Sequence, residues 1–181
     1  IHELAHKALS LDDPSKLWPY LAKRLASHFR CGRVTIFQRD ASGRLVSRYA
    51  HGLKDAILLE AGEGIAGEAA KSGKPYLSNA PYKDVQFSSG ADAKSGFKTK
   101  SVLAFPLNHR GRSVGVVELI NKAGGFKSAD LKEMQAIGAQ ISVLFVKNRF
   151  EEERTELHGQ LVQTEKMAAL GRLSGAMAHE V

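Results

Sequence analysis

The chain has 181 residues, 43% hydrophobic and 25% charged, which is the composition of a globular domain long enough for one core plus an extension. Its formal charge of +7 is scattered among alternating basic and acidic residues with no basic block, so nucleic acid is not an expected partner. Cys31 is the only cysteine, which excludes a disulfide framework and a CxxC metal site and fits a reducing cytoplasm.

The longest apolar run, 141–146, is far too short to span a bilayer. The chain starts at Ile1 and reads as a fragment, for which no membrane segment and a cytoplasmic location are expected. Residues 1–13 read as an N-terminal helical extension. In DDPSKLWPYLAKRLASHF, Asp12 or Asp13 can cap a helix, and Pro14 suits its first turn. Leu17, Leu21, Leu25 and Phe29 then recur every fourth residue and predict one buried stripe.

CGRVTIFQRD predicts a central strand, because apolar groups fall on both of its alternating faces. ASG is a turn and RLVSRYAHG the returning strand. GIAGEAAKSG predicts a short helix whose small residues permit close packing on a sheet, and KPYLS a short strand. Residues 79–96 are rich in Ser, Asp, Gly and Lys without periodicity, a long loop of the functional or mobile kind. KSVLAFPL and RSVGVVELIN are strands joined by NHRG, and Ser128 is the expected N-cap of a helix with Leu131, Met134, Ile137, Ile141 and Leu144 on one stripe. This order argues an α+β fold, an antiparallel sheet flanked by helices.

GEGIAGEAAKSGKPYLSNAPYKD and FKTKSVLAFPLNHRGRSVGVVELINK resemble a GAF domain, over residues 14–148. The subfamily most resembled is that of cyclic-nucleotide phosphodiesterases and cyclases. Its signature is matched by Asn121, Lys122, Phe126 and Asp130, while its last glutamate is replaced by Leu131. The resemblance implies a structural latch, in which Lys122 and Asp130 pair and hold the loop after the last strand. It also implies a pocket between the sheet and the 79–100 loop, lined by Ser78, Asn79, Phe87, Ser95, Phe97 and Thr99, for a cyclic nucleotide or another small ligand. Lys94, Lys98 and Lys100 would favour an anion there, although a solvated basic loop explains them more simply. Haem would need His51 or His109 as an axial ligand, and a bilin would need Cys31; neither is expected, and no metal is.

EKMAALGRLSGAMAHEV, at 165–181, resembles the start of the dimerisation and phosphoacceptor helix of sensor histidine kinases, through Leu170, Gly171, Leu173, Ala176, Ala178, His179, Glu180 and Val181. The resemblance implies His179 as phosphoacceptor and Glu180 as its acid–base partner, since a largely neutral imidazole can attack the γ-phosphoryl of ATP while a carboxylate takes the other ring proton. The parent would use ATP and Mg²⁺ from a catalytic domain that is not in this chain, and would pass the phosphoryl group to a response regulator receiver domain. His-Glu could also open a zinc-binding HExxH helix or be a plain surface dipeptide.

A helix over 129–181 would be about 80 Å long and needs a partner, which predicts a parallel coiled-coil homodimer. Residues 149–166 form the linker and 167–181 the truncated kinase helix. The stripe of Leu157 and Leu161 runs about one residue out of phase with that of Met167, Leu170, Leu173 and Met177. With Gly159, Gly171 and Gly175, this fits either a linker poised between two packings or a plain helix with an irregular seam.

Overall fold

The computed structural model describes residues 16–52 and 55–177, and at positions 91, 94, 95, 171 and 173–177 the backbone alone. The 1–13 extension and the capping candidates Asp12, Asp13 and Pro14 lie outside the described residues. The chain divides into two units, residues 1–146 and 147–181.

Helix α1 spans Leu17–Phe29, and its stripe of Leu17, Leu21, Leu25 and Phe29 is buried together with Trp18 and Ala22. The helix stops at left-handed Arg30 (φ 52°) and turns directly into β1, Cys31–Arg39. Strand β2, Leu45–Ala50, returns along β1 after a turn in which Asp40 accepts hydrogen bonds from the backbone of Ser42 and Arg44. The rest of the sheet is β3 (Leu58–Leu59), β4 (Tyr76–Ser78), β5 (Val102–His109) and β6 (Arg112–Lys122). The six strands lie in the order β3-β2-β1-β6-β5-β4, every neighbouring pair antiparallel. Arg110 (φ 49°) and Gly111 (φ 77°) are both left-handed, the geometry of a tight two-residue hairpin between β5 and β6.

Alternation gives the sheet two different faces. Val34 and Ile36 of β1, Leu103, Phe105 and Leu107 of β5, and Val117 and Leu119 of β6 pack with α1 and with helix α4, which begins at Ser128. From α4 this cluster takes Met134, Ile137, Ile141, Leu144 and Phe145, the last with its ring 4.5 Å from that of Trp18. Two glycines let α4 sit this close: a Cβ on Gly138 would lie 2.6 Å from the Phe105 ring, and one on Gly115 would lie 2.9 Å from Phe145. The opposite face carries helix α2, Gly64–Ser72. Ile65, Ala66, Ala69 and Ala70 pack there on Phe37, Leu45, Val102, Ala104 and Val116.

Residues 79–96, expected as an irregular loop, contain a 3-10 turn at Pro81–Lys83 and a short helix α3 at Gly90–Ser95. The two-residue strand β3 was also not expected, being too short to show a period. Helix α4 runs Ser128–Met177, with Ser128 its first helical residue. In the second unit its surface is polar and laced by the i,i+4 pairs Lys147–Glu151 and Arg149–Glu153. Leu157, Leu161, Met167 and Leu170 are 58–66% exposed there.

Candidate functional site

The α2 face of the sheet holds polar groups that the opposite face lacks. In register across it run Ala50 of β2, Thr35 of β1, Glu118 of β6, Ala104 of β5 and Tyr76 of β4. Thr35 is buried and Glu118 partly so. Glu118 has no hydrogen-bond or ion-pair partner among the described residues. Burial, reinforced by the negative charge of Asp92, pushes its carboxyl up to about 7.

Asp92 and its neighbours order the segment that lies over this face. The Asp92 carboxylate accepts three hydrogen bonds: from Tyr82 Oη at 2.7 Å, from Thr99 N at 2.7 Å and from Thr99 Oγ1 at 2.8 Å. At the other end, Tyr76 Oη and the N–H of Gln86 donate to Asp84 Oδ1. Burial opposes the charge of Asp84, but the donors, Gln86 foremost, outweigh it and hold its pKa below the ordinary range. Phe87 packs on the α2 cluster and against the Tyr82 ring. The Arg33 guanidinium sits 3.6 Å over the Phe97 ring. Polar side chains and one stacked cation thus fold a segment that has no apolar period of its own.

The Asn121–Asp130 region is a second constellation. Lys122 Nζ pairs with Asp130 Oδ1, and Asp130 Oδ2 accepts the Lys127 N–H at 2.7 Å. Burial works against the Asp130 charge, but Lys122 and Lys127 hold its pKa below the ordinary value. Phe126 is buried in the α1–α4 cluster. Asn121, left-handed at φ 60°, donates to Lys98 O and accepts from Lys100 N and Ser101 N, which ties the segment before β5 to the end of β6.

The residues expected around the pocket divide between these places. Phe87 and Thr99 belong to the covering segment, and Ser78 hydrogen-bonds Asp84 at its base. Phe97 is engaged by Arg33. Asn79 is placed differently from the expectation: both ends of its amide are bound to the backbone of Phe126, at 2.9 and 2.8 Å, so it serves the second constellation. The side chain of Ser95 lies outside the described residues, as do His179 and Glu180. His51 is exposed and His109 ends β5. Burial pushes the Cys31 thiol up to about 11, which leaves it protonated and weakly nucleophilic. Glu118 and Asp92 were not among the expected site residues. For Glu118 the available signal was alternation, which puts a carboxylate two residues from Val116 on an inward face.

Such a sheet, closed on one face by helices and covered on the other by an ordered polar segment, defines a two-faced α+β domain. The chain belongs to the GAF family: the family described as "GAF domain" matches residues 13–145. It is 31% identical over 113 residues (58% of this chain, 8% of the relative) to a dual 3',5'-cyclic-AMP and -GMP phosphodiesterase 11 of Drosophila melanogaster. It is 30% identical over 132 residues (67% and 11%) to a cGMP-specific 3',5'-cyclic phosphodiesterase of Drosophila sechellia. The chain therefore spans only about a tenth of the length of these curated relatives. Among solved structures, the fold is similar to the GAF domain of an Acinetobacter phosphoenolpyruvate-protein phosphotransferase, with a TM-score of 0.71 and 16% identity over 84% of this chain and 94% of that one. It is also similar to a free methionine-R-sulfoxide reductase of Thermoplasma acidophilum, with a TM-score of 0.63 and 16% identity over 80% and 96%. Among the described residues no helix is long and apolar enough to cross a membrane, and no cluster of His, Cys, Asp and Glu could hold a metal ion.

Proposed function

We propose that this chain is the sensory and signalling-helix part of a sensor histidine kinase whose GAF domain binds a cyclic nucleotide on the α2 face. The observation that carries the ligand reading is Glu118, an inward carboxylate with no partner among the described residues, beneath a segment ordered by Asp92. A carboxylate in such a place suits a ligand rich in N–H and O–H donors, as a purine base and a ribose hydroxyl are. The start of α2, which has no side-chain cap, offers backbone N–H groups to the ligand's phosphate. The similarity to cyclic-nucleotide phosphodiesterases supports the same class.

The output reading rests on LGRLSGAMAHEV. Ligand occupancy would bias the packing of α4 in a parallel homodimer, and so the presentation of His179 to ATP and Mg²⁺ on the parent's catalytic domain. Glu180 would take the imidazole proton, and a response regulator receiver domain would accept the phosphoryl group. The test has two arms. Thermal unfolding with cyclic AMP and cyclic GMP should show stabilisation of about 2.7 kcal/mol at a hundredfold Kd, lost in Glu118→Gln; no shift with either overturns the ligand. His179→Gln in the parent protein should abolish autophosphorylation.

A second reading has its own observation. The curated relatives are phosphodiesterases rather than kinases, which favours a GAF binding and dimerisation module that regulates a different output. A parent with full regulated activity after His179→Gln would establish this reading over the first.

A further inference from the structure

At the end of the sheet where β1 begins and β6 ends lies a cleft of about 760 Å³. Its walls come from four separate places: the α1–β1 junction at Arg30, Asn79 after β4, the segment entering β5 at Lys100 and Ser101, and the turn after β6 from Asn121 to Gly125. Three cations line it, and they are not equivalent. Lys122 is neutralised by Asp130. Arg30 and Lys100 are exposed, and neither side chain has a carboxylate partner among the described residues.

Beneath these cations the Ser101 hydroxyl is buried with no hydrogen-bond partner, the one such side-chain atom among the described residues. Buried polar groups in folded proteins are almost always paired, so an orphan hydroxyl lining a basic cleft asks for an acceptor or donor from outside the chain. The floor can also be approached closely. Gly124 is left-handed (φ 78°), and a Cβ there would meet nothing within 4 Å. Asn121 fixes the spacing of two walls, since its side chain binds the backbone of Lys98, Lys100 and Ser101.

We propose that this cleft is a second ligand site, separate from the α2 face, for a small phosphorylated metabolite carrying at least two negative charges. Two unpaired cations on different elements call for a dianion. A phosphate presents oxygens in several directions, enough for Arg30, Lys100 and the Ser101 hydroxyl together. The site joins the first helix, the entry to β5 and the turn that leads into α4, so its occupancy would stiffen the base of α4 independently of the α2 face.

Inorganic pyrophosphate is the probe, titrated into the whole 181-residue chain at low chloride and followed by amide NMR shifts and calorimetry. Saturable binding is expected, with shifts confined to residues 30–32, 99–101 and 121–125. The Arg30→Asn/Lys100→Gln double variant should weaken it about tenfold or more; asparagine tolerates the left-handed backbone at position 30, so the variant should keep its fold and its thermal midpoint. Ser101→Ala should weaken it several-fold. Arg110→Gln with Arg112→Gln removes the same two charges at the far end of the β5–β6 hairpin and should leave it unchanged, as should Glu118→Gln. Equal loss in the Arg110→Gln/Arg112→Gln variant would reduce the effect to net charge, and loss in Glu118→Gln would move the ligand to the α2 face. Equal binding of citrate would remove the preference for phosphate. Any of these three results, or the absence of saturable binding, overturns the proposal.

Discussion

Strand β6 serves two regions of different character. Val117 and Leu119 turn to α1 and α4, where twenty buried apolar residues form one cluster. Val116 and Glu118 turn to α2, where the buried apolar cluster has nine members and shares the face with Thr35, Thr99 and two carboxylates. The first face is almost wholly apolar, its buried Ser142 hydroxyl being satisfied within α4 by Gly138 O, and can be judged largely by packing. The second gives up apolar contact to keep acceptors under a polar cover. The contrast separates the face that supplies the domain's stability from the face that carries the polar groups of the proposed site.

The largest expected effect lies on the dry face. Leu119 is fully buried between the helices, so Leu119→Ala should cost about 3 kcal/mol, within the range for large-to-small core changes. Urea unfolding would read this as a lower midpoint with an unchanged slope. A loss below about 1 kcal/mol would break the comparison by showing that the α1–α4 face is loosely packed.

Glu118 tests the other side through pH. Its folded pKa of about 7 stands above the ordinary 4.5. Between those values the folded chain holds a proton that the unfolded chain has released. Stability should therefore fall as pH rises from about 4.5 through 7 and level off above, by at most about 3 kcal/mol. Glu118→Gln should erase this slope and, above pH 7, raise the thermal midpoint of the ligand-free protein. An unchanged pH profile in the variant would place the Glu118 carboxylate in water and make the two faces alike.

The two faces were not equally legible in the sequence. Leu17, Leu21, Leu25 and Phe29 declare the dry face because a helix buries one stripe and the spacing repeats. The strand alternation around Val34, Ile36 and Phe37 likewise declares a central position. The cover of the wet face has no such period. Its order comes from Tyr82, Asp92 and Thr99 binding one another, and hydrogen-bond partners leave no trace in hydropathy. Asn79 and Phe126 are 47 residues apart, so nothing local announces their pairing. Family resemblance singled out Lys122 and Asp130; alternation in GVVELIN held Glu118, but a lone charge in a strand reads first as solvent-facing.

A smaller effect sits where the two regions meet. Asp130 is buried, while Lys122 is 24% exposed, so Asp130→Asn should cost about 2 kcal/mol at pH 7, less than loss of a wholly buried pair. Because the folded Asp130 pKa is depressed, the stabilisation is complete above the unfolded value and is lost as pH falls through the folded one. The cost of the substitution should accordingly shrink in acid. A deficit that persists undiminished well below pH 3 would mean that the aspartate acts through its hydrogen bond to Lys127 rather than through its charge.

The smallest effect is expected at the rim of the dry face. His28 Nε2 and Glu133 Oε2 lie 3.2 Å apart between α1 and α4, with side chains 40% and 57% exposed. Water and salt screen such a pair, and holding two side chains together costs entropy. His28→Ala should therefore change stability by about 0.5 kcal/mol or less, and still less at high salt. A double-mutant cycle with Glu133→Ala isolates the pair from the edge contact between the His28 and Phe29 rings. A coupling well above about 1 kcal/mol would mean that charge as well as packing joins these helices, so that polar groups would hold the dry face as well as the wet one.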